Sequence, residues 1–228
     1  GGKDPVIVDS DVDVTAVAAD VARGSFTNSG QICTSMERIY VHRDVAEAFT
    51  TELVRLAAAY TLGAPTEPST VLGPLVDAGQ HAIVERHVRD AVDKGARVLV
   101  GGEVPAGPGW FYPATVLADV DESMEIMNTE TFGPIAPIRV VESFEEGVEL
   151  AKATEYGLAM TVYSHTAAHI ELAGTVPTGI LWVNAWQGGD FARQMEPAGN
   201  SGMGATGRAL GLDAATRPMA VHSPGSAA

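Results

Sequence analysis

Short runs of β-branched residues alternate with longer stretches of helical periodicity along this chain. The β-branched runs predict six strands, at Val6–Val8, Arg38–Val41, Val98–Val100, Pro137–Val141, Met160–Tyr163 and Ile180–Val183. Helical periodicity predicts five helices, over Val12–Ser25, Val45–Tyr60, Ala78–Lys94, Phe144–Thr154 and Ala167–Thr175. This alternation favours an α/β fold, with three layers in which helices cover a mostly parallel sheet.

Polar side chains and glycines mark the predicted helix ends. The predicted N-terminal caps are Asp9 and Asp11 for the first helix, Asp44 for the second, Ser143 for the fourth and Thr166 for the fifth. Gly95 ends the third helix. The Gly/Pro-rich segments 101–113 and 188–211 are predicted to be connections. After them come a short apolar piece, Met219–His222, and a tail, 223–228, that is expected to fray.

Composition and charge narrow the choice of partners. The chain has 228 residues, of which 46% are hydrophobic and 19% charged, as in ordinary globular proteins. Its 14 basic and 29 acidic residues give a net charge of −15, which excludes nucleic acid and anionic membranes as favoured partners. No apolar stretch approaches the roughly 20 residues of a membrane span, and the N-terminus has no signal core.

The only cysteine, Cys33, is the main candidate for chemistry. A single cysteine forms no internal disulfide, so a reducing, cytoplasmic location is expected. Cys33 follows a helix that Gly30 is expected to end and precedes a predicted strand, which places the thiol on a turn. At the start of a helical turn the N-terminal dipole would stabilise a thiolate nucleophile. A buried structural thiol is the alternative, and the residues alone leave the choice open.

Two other patterns suggest ligand sites but have simpler explanations. His165 and His169 are spaced like two zinc ligands on one helix face, but no third ligand is evident, so we interpret them as a solvated face and predict no metal site. Gly202–Gly207 spells G-x-G-x-x-G without the strand and βαβ unit that a dinucleotide fingerprint needs. Trp110 and Phe191 are expected to pack rather than to line a pocket.

Five short motifs together resemble a known family. Their order and spacing resemble the NAD(P)-dependent aldehyde dehydrogenase superfamily, and the motifs are Gly1-Gly2-Lys3, Gly30-Gln31-Ile32-Cys33, Glu130-Thr131-Phe132-Gly133-Pro134, Tyr156-Gly157-Leu158 and Trp182-Val183-Asn184. The resemblance implies a catalytic domain over residues 1–195. Residues 196–228 would hold a Gly-rich substrate-tunnel loop, an oligomerisation strand at Arg217–His222 and the tail. A homodimer or homotetramer is then expected.

The resemblance also implies a mechanism. The Cys33 thiolate would attack the aldehyde carbon, NAD or NADP would take a hydride, and the resulting thioester would be released by water. Glu130 and Phe132 would lie against the nicotinamide ribose, and the Cys33 N–H would supply half of an oxyanion hole. In the family an asparagine and a general-base glutamate come from the part before Gly1. We interpret Gly1 as a cut edge and expect this piece alone to be inactive.

The resemblance says less about the substrate than about the mechanism. Weaker candidates for the substrate pocket or its surroundings are Ile32, Thr34, Asn184, Trp186 and Ala198. Ala198 and Ala209 stand where the family usually has an aromatic residue and a glutamate, which weakens any borrowed substrate assignment. The residues that choose between NAD and NADP are also expected outside this chain. A CoA-acylating enzyme and an inactive structural relative remain as alternatives.

Overall fold

The computed structural model of the protein describes residues 1–188 and 193–224. Phe191 and the last four residues of the predicted tail lie outside the described part. The strands are β1 (Pro5–Val8), β2 (Arg38–His42), β3 (Arg97–Val100), β4 (Thr115–Ala118), β5 (Ile135–Val141), β6 (Tyr156–Gly157), β7 (Ala159–Tyr163), β8 (Ile180–Val183) and β9 (Ala198–Gly199). The helices are α1 (Val14–Phe26), α2 (Arg43–Ala57), α3 (Ala78–Asp93), α4 (Glu125–Asn128), α5 (Phe144–Lys152), α6 (Ala167–Ala173) and α7 (Arg208–Ala214), and Thr27–Gly30 forms a 3₁₀ turn.

Seven strands form one sheet in the order β3-β4-β5-β2-β1-β7-β8. All neighbouring pairs are parallel except β3 with β4, which is antiparallel at one edge. The short strands β6 and β9 pair with each other outside this sheet. This architecture confirms the predicted α/β class with a mostly parallel sheet.

The sheet has a hydrophobic core on each face. Along β1, Val6 and Val8 point into the core that α1 and α2 cover, and Ile7 points into the core that α3 and α5 cover. Ile39 and Tyr40 alternate between the two cores in the same way in β2. Alternation follows from the period-two geometry of a strand, and burial on both faces explains why these strands read as continuous apolar runs. No helix among the described residues is long and apolar enough to cross a membrane.

All six predicted strands and five predicted helices are present, with ends that shift by a few residues. The pattern missed β4, whose four residues lie between a Gly/Pro-rich segment and an acidic one. It also missed α4 and the two-residue strands β6 and β9, which are too short to show a period. The predicted connection 188–211 was wrong at its end, because α7 begins at Arg208.

Two predicted caps were wrong. Asp13 caps α1 by accepting hydrogen bonds from the backbone N–H groups of Thr15 and Ala16, whereas Asp9 and Asp11 bond to groups near the start of α6. His42 rather than Asp44 caps α2. Ser143 does cap α5 by accepting from Glu146 N–H, whereas Thr166 precedes α6 without a side-chain capping bond, because its hydroxyl donates to Asp11.

The predicted terminal strand is not formed within this chain. Residues 217–224 have no regular secondary structure and are exposed, with Met219 and Val221 more than four-fifths accessible. A strand at Arg217–His222 that pairs with a neighbouring subunit therefore stays a prediction.

Two buried charged residues tie the centre of the sheet together. The Arg38 guanidinium donates to the carbonyl of Lys3 at 2.8 Å and to those of Leu150 and Ala151, at the end of α5, at 3.2 and 3.1 Å. It thereby contacts carbonyls of the last turn of α5, where the helix dipole favours a cation. Asp4 accepts from Ala159 N–H through Oδ1, and its Oδ2 is buried with no partner among the described residues. Burial raises the pKa of Asp4 well above its ordinary value of 3.8.

The buried Asp4 carboxyl generates a prediction for Asp4→Asn. Above pH 3.8 the unfolded chain loses the Asp4 proton, whereas the native state keeps it. The free energy of unfolding of the wild type therefore falls as the pH rises from 3.8 towards the raised pKa of the native carboxyl. The asparagine variant lacks this dependence. The free energy of unfolding of the variant minus that of the wild type should therefore increase with pH, by up to about 1.4 kcal/mol per pH unit, until the native Asp4 carboxyl of the wild type ionises.

Urea unfolding at several pH values measures this difference. Asp213→Asn is the matched control, because that carboxyl is exposed and should give no such slope. A flat difference for Asp4→Asn between pH 5 and pH 8 would show that Asp4 is ionised in the native state.

Candidate active site

Four of the five sequence motifs converge because each one leads into a strand of the parallel sheet, whereas Trp182-Val183-Asn184 lies at the end of β8. Residues 1–4 precede β1, residues 34–37 precede β2 and residues 130–134 precede β5. Residues 156–158 precede β7. Because β5, β2, β1 and β7 are adjacent and parallel, their amino ends meet at one edge of the sheet. The candidate site is therefore a cluster of loops at this edge.

Cys33 lies at the corner of a tight turn. Ser35 N–H donates to the Ile32 carbonyl at 2.9 Å, which closes the turn around Cys33 and Thr34. The thiol is exposed, which argues against the buried structural thiol. No helix begins at this turn, so the expected helix dipole is absent. Cys33 N–H has no acceptor among the described residues.

The turn is anchored to α1 and to the segment after β8. Ser35 Oγ donates to the carbonyl of Gly24 at 2.9 Å. Trp186 Nε1 donates to the Thr34 carbonyl at 2.8 Å, and Gln187 Nε2 donates to Thr34 Oγ1 at 2.9 Å. The Trp186 indole is 3% exposed, so it supports the turn from below rather than lining a substrate pocket. Ile32 is partly buried against the same core.

Glycines allow the Cys33 turn and the Glu130 loop to meet. Gly30 has φ +71°, and a Cβ there would lie 2.0 Å from the Gly133 carbonyl oxygen, which no other residue could tolerate. Gly2 N–H donates to Glu130 Oε1 at 3.0 Å. A Cβ at Gly2 would also lie 3.1 Å from the Cys33 carbonyl oxygen. Gly2 therefore lies between the two predicted site residues, Cys33 and Glu130.

The Glu130 loop is held by a buried ion pair that sequence reasoning missed. Glu37 accepts from the N–H groups of Thr131 at 2.7 Å and Phe132 at 2.8 Å. Lys3 Nζ lies 2.6 Å from Glu37 Oε2 and also donates to Thr131 Oγ1 at 2.9 Å. Burial lowers the pKa of Lys3, although Glu37 opposes this shift. The sequence offered one sign of this buried ion pair: two adjacent charged residues, Glu37 and Arg38, stand at the start of an otherwise apolar strand.

Phe132 adopts a conformation that needs such support. Its φ is +50°, a region that non-glycine side chains rarely enter and that costs of order 1 kcal/mol or more. Gln80, on α3, donates from Nε2 to the carbonyls of Thr131 at 2.7 Å and Phe132 at 3.1 Å. The loop is thus bonded on both its N–H groups and its carbonyls. Glu130 and Phe132 themselves are only partly buried, so they remain accessible to a ligand.

Asn184 and Ala198, the remaining predicted site residues, lie farther from the Cys33 turn. The Asn184 amide bonds to the backbone of Ser164 through both its oxygen and its nitrogen, so it does not contact the Cys33 turn. Ala198 is in β9 and pairs with Gly157. Next to it, Ser201 Oγ accepts from Gly157 N–H, and the Ser201 carbonyl accepts from the Gly1 amino group. The predicted tunnel loop therefore borders the double glycine.

The histidine pair has a structural role. His169 Nδ1 lies 2.6 Å from Asp9 Oδ2, and its ring stacks on Phe144 with centroids 4.5 Å apart. Burial alone would raise the pKa of Asp9, but bonds from His169, Ser164 and the Ser10 backbone lower it. The solvated-face interpretation was thus wrong for His169 and holds for the exposed His165. No group of three potential metal ligands occurs among the described residues.

The G-x-G-x-x-G stretch and Trp110 were also interpreted as structural features, and the two interpretations have different outcomes. α7 follows Gly207 in the G-x-G-x-x-G stretch, but the preceding strand β9 lies outside the main sheet, so there is no βαβ unit. Trp110 was expected to pack; it is 46% exposed, and its ring lies tilted against that of His81 with centroids 6.1 Å apart.

Comparison with known proteins identifies the family. The family model described as "Aldehyde dehydrogenase family" matches residues 1–221. The chain is 36% identical over 217 residues to a 3-sulfolactaldehyde dehydrogenase of Pseudomonas putida, covering 93% of this chain and 44% of the relative.

Solved structures agree with this comparison. The succinate-semialdehyde dehydrogenase from Burkholderia pseudomallei superposes with a TM-score of 0.90 at 34% identity, over 93% of this chain and 44% of that one. A 3,6-anhydro-L-galactose dehydrogenase in complex with NAP gives 0.89 at 35%, over 93% and 46%. The chain thus spans less than half the length of these relatives. By sequence and by fold it belongs to the aldehyde dehydrogenase family.

Proposed function

We propose that this chain forms the catalytic part of an NAD(P)-dependent aldehyde dehydrogenase that oxidises an aldehyde to a carboxylic acid through Cys33. The observation that carries the proposal is the exposed thiol on a braced turn, joined through Gly2 to the partly buried carboxylate of Glu130. Residues 1–195 would be the catalytic domain, and residues 196–228 would hold the tunnel loop, an oligomerisation strand and the tail.

Cys33 would act as the nucleophile. Its sulfur adds to the aldehyde carbon, and the carbonyl oxygen takes on negative charge as the thiohemiacetal forms. The Cys33 N–H, which has no acceptor among the described residues, would donate to that oxygen. The anchors at Ser35 and Thr34 hold the turn rigid, so that this donor and the sulfur keep their relative positions during the reaction.

Glu130 and Phe132 fit a dinucleotide cofactor. Glu130 Oε1 is held by Gly2 N–H, and a Cβ on Gly1 would lie 2.2 Å from Oε2, so the double glycine leaves room at this carboxylate. A carboxylate accepts from ribose hydroxyl groups, and the ring of Phe132 can pack against the sugar. The chemistry that NAD(P)+ supplies when bound is acceptance of the hydride from the aldehyde carbon.

The acyl group must then leave Cys33. The resemblance places the glutamate that activates water just before Gly1 and the second oxyanion donor, an asparagine, farther upstream. The chain spans under half of its relatives, so we expect both groups to come from the rest of the full-length protein. Release to water distinguishes this proposal from a CoA-acylating enzyme.

A homodimer or homotetramer in the cytoplasm is part of the same proposal. The exposed apolar side chains Met219 and Val221, in a segment without secondary structure, support a strand completed by a second subunit. A monomeric mass for the full-length protein would contradict it.

The first prediction concerns Cys33→Ser. Removal of the nucleophile should lower kcat/KM for aldehyde oxidation by about 10³-fold or more, because covalent catalysis is lost. NAD(P)H formation by the full-length protein, at 340 nm with a panel of aldehydes, measures this loss. Thr34→Ser, which keeps the hydroxyl that Gln187 contacts, is the matched control. A wild-type rate that requires added CoA would instead assign the acylating reaction.

Alkylation offers an independent readout, because peptide mass spectrometry can follow labelling at Cys33, the only cysteine of this chain, within the full-length protein. Iodoacetamide should label Cys33 and abolish oxidation with the same time course. Activity that survives complete labelling of Cys33 would favour a mechanism without this nucleophile, and a wild-type protein that neither oxidises aldehydes nor reacts with iodoacetamide would favour the inactive relative.

The second prediction concerns Glu130→Gln. Glutamine keeps an acceptor for Gly2 N–H but removes the charge that strengthens bonds to ribose hydroxyls. We expect kcat/KM for NAD(P)+ to fall by about 10-fold or more, the value of one charge-assisted hydrogen bond. Glu149→Gln, an exposed carboxylate on α5, is the control and should change nothing. Equal kinetics for both variants would remove Glu130 from the cofactor site.

A further inference from the structure

One buried histidine reaches the Glu130 loop from α3 and has no part in the proposed mechanism. His87 is fully buried. Its Nδ1 lies 3.1 Å from Thr131 Oγ1, and its Nε2 lies 3.3 Å from Arg86 Nη2 and 3.8 Å from Glu125 Oε1. Thr131 stands between Glu130 and Phe132, the two residues proposed to contact the cofactor. His87 therefore contacts the residue that joins them.

The neighbouring cations fix the direction of these hydrogen bonds. Arg86 can only donate, so the bond at Nε2 requires a lone pair there and leaves the proton on Nδ1. Nδ1–H then donates to Thr131 Oγ1. Lys3 Nζ also only donates, so the Thr131 hydroxyl accepts from both sides. The arrangement is consistent only with a neutral imidazole.

The surrounding charges keep His87 neutral. Burial and, after it, the charges of Lys3 and Arg86 lower the pKa of His87 to about 4, although Glu125 and Glu37 oppose this shift. Asp90, one turn along α3, is engaged by Lys94 and by Glu125 N–H. At neutral pH the ring is thus a fixed hydrogen-bond donor rather than an acid or a base.

Thr131 is bonded at every polar atom. Its N–H donates to Glu37 and its carbonyl accepts from Gln80, which fixes the peptide planes on either side. Its hydroxyl is held by Lys3 and His87. Since Phe132 has a φ of +50°, relaxation of the loop would relieve strain by turning this ring away. The side-chain anchor at Thr131 opposes that relaxation.

We propose that His87 is a positioning residue for the cofactor site. By donating from Nδ1 to Thr131 it holds the Glu130 carboxylate and the Phe132 ring in the orientation that receives the nicotinamide ribose. This inference rests on the proposed function and adds to it a residue that touches neither substrate nor cofactor. Its effect is on binding of NAD(P)+ rather than on reactivity of Cys33.

The test compares two His87 variants in the full-length protein. His87→Leu removes the donor at similar volume, whereas His87→Asn keeps an N–H near the position of Nδ1. We expect His87→Leu to raise the dissociation constant for NAD(P)+, measured by calorimetry without aldehyde, about 10-fold, the upper range for one neutral hydrogen bond. His87→Asn should stay within about 3-fold of wild type. The rate of Cys33 alkylation without cofactor should not change in either.

Thr131→Val provides a second route to the same contact. It also removes the bond from Lys3, so it should weaken NAD(P)+ binding at least as much as His87→Leu. The double variant His87→Leu/Thr131→Val should bind no more weakly than Thr131→Val alone, because Thr131→Val has already removed the hydroxyl that His87 contacts. Val88→Ala, which removes buried volume from the next position of α3, controls for loss of stability. It should lower the melting temperature without changing the dissociation constant.

Three outcomes decide between the proposals. A dissociation constant that changes only for His87→Leu and Thr131→Val supports positioning. Equal effects of His87→Leu and Val88→Ala, or no rescue by His87→Asn, would overturn it and leave His87 a core residue. A wild-type protein that neither binds NAD(P)+ nor oxidises any aldehyde would overturn the proposed function and, with it, this inference.

Discussion

The buried ion pair between Lys3 and Glu37 is the interaction on which the site depends. Lys3 leads into β1, Glu37 leads into β2, and the Glu37 carboxylate accepts the N–H groups of the loop before β5. Burying two charges is costly, and such a pair adds little net stability compared with apolar packing. Removal of one partner alone would nevertheless cost about 3–5 kcal/mol, because the other would remain buried and uncompensated. The pair thus serves to fix three segments in one arrangement.

The site lies at the amino ends of the parallel strands, whereas ligands of open α/β sheets usually bind at the carboxyl ends. At the amino end each loop continues directly into its strand. The pairing register of that strand therefore determines where a short motif just before it lies. Register fixes Pro5 opposite Arg38 and Thr115 opposite Ile135. Close backbone contacts at Gly30 and Gly2 then bring the loops together locally, and a side chain at either position would prevent these contacts.

Sequence patterns predicted the architecture because strands buried on both faces and amphipathic helices each carry a period. They also placed Cys33 on a turn, whereas its grouping with Glu130 came from the family resemblance. They could not find the groups that support the site. Glu37 and His87 act across 94 and 44 positions of sequence, and a long-range hydrogen bond leaves no local period. The bond from Trp186 to Thr34, 152 positions away, was hidden for the same reason.

The two halves of the site are supported from opposite faces of the sheet. The Cys33 turn rests on α1 and Trp186, which belong to the core on one face. The Glu130 loop rests on α3, through Gln80 and His87, and a Cβ on Gly133 would meet Val84 of the core on the other face. The supports meet where Gly30 touches Gly133 and where Gly2 lies between Cys33 and Glu130. Repacking of either core would therefore act first on one of these two loops, and the glycine contacts, together with the bonds from Glu37 to the Glu130 loop, link one loop to the other.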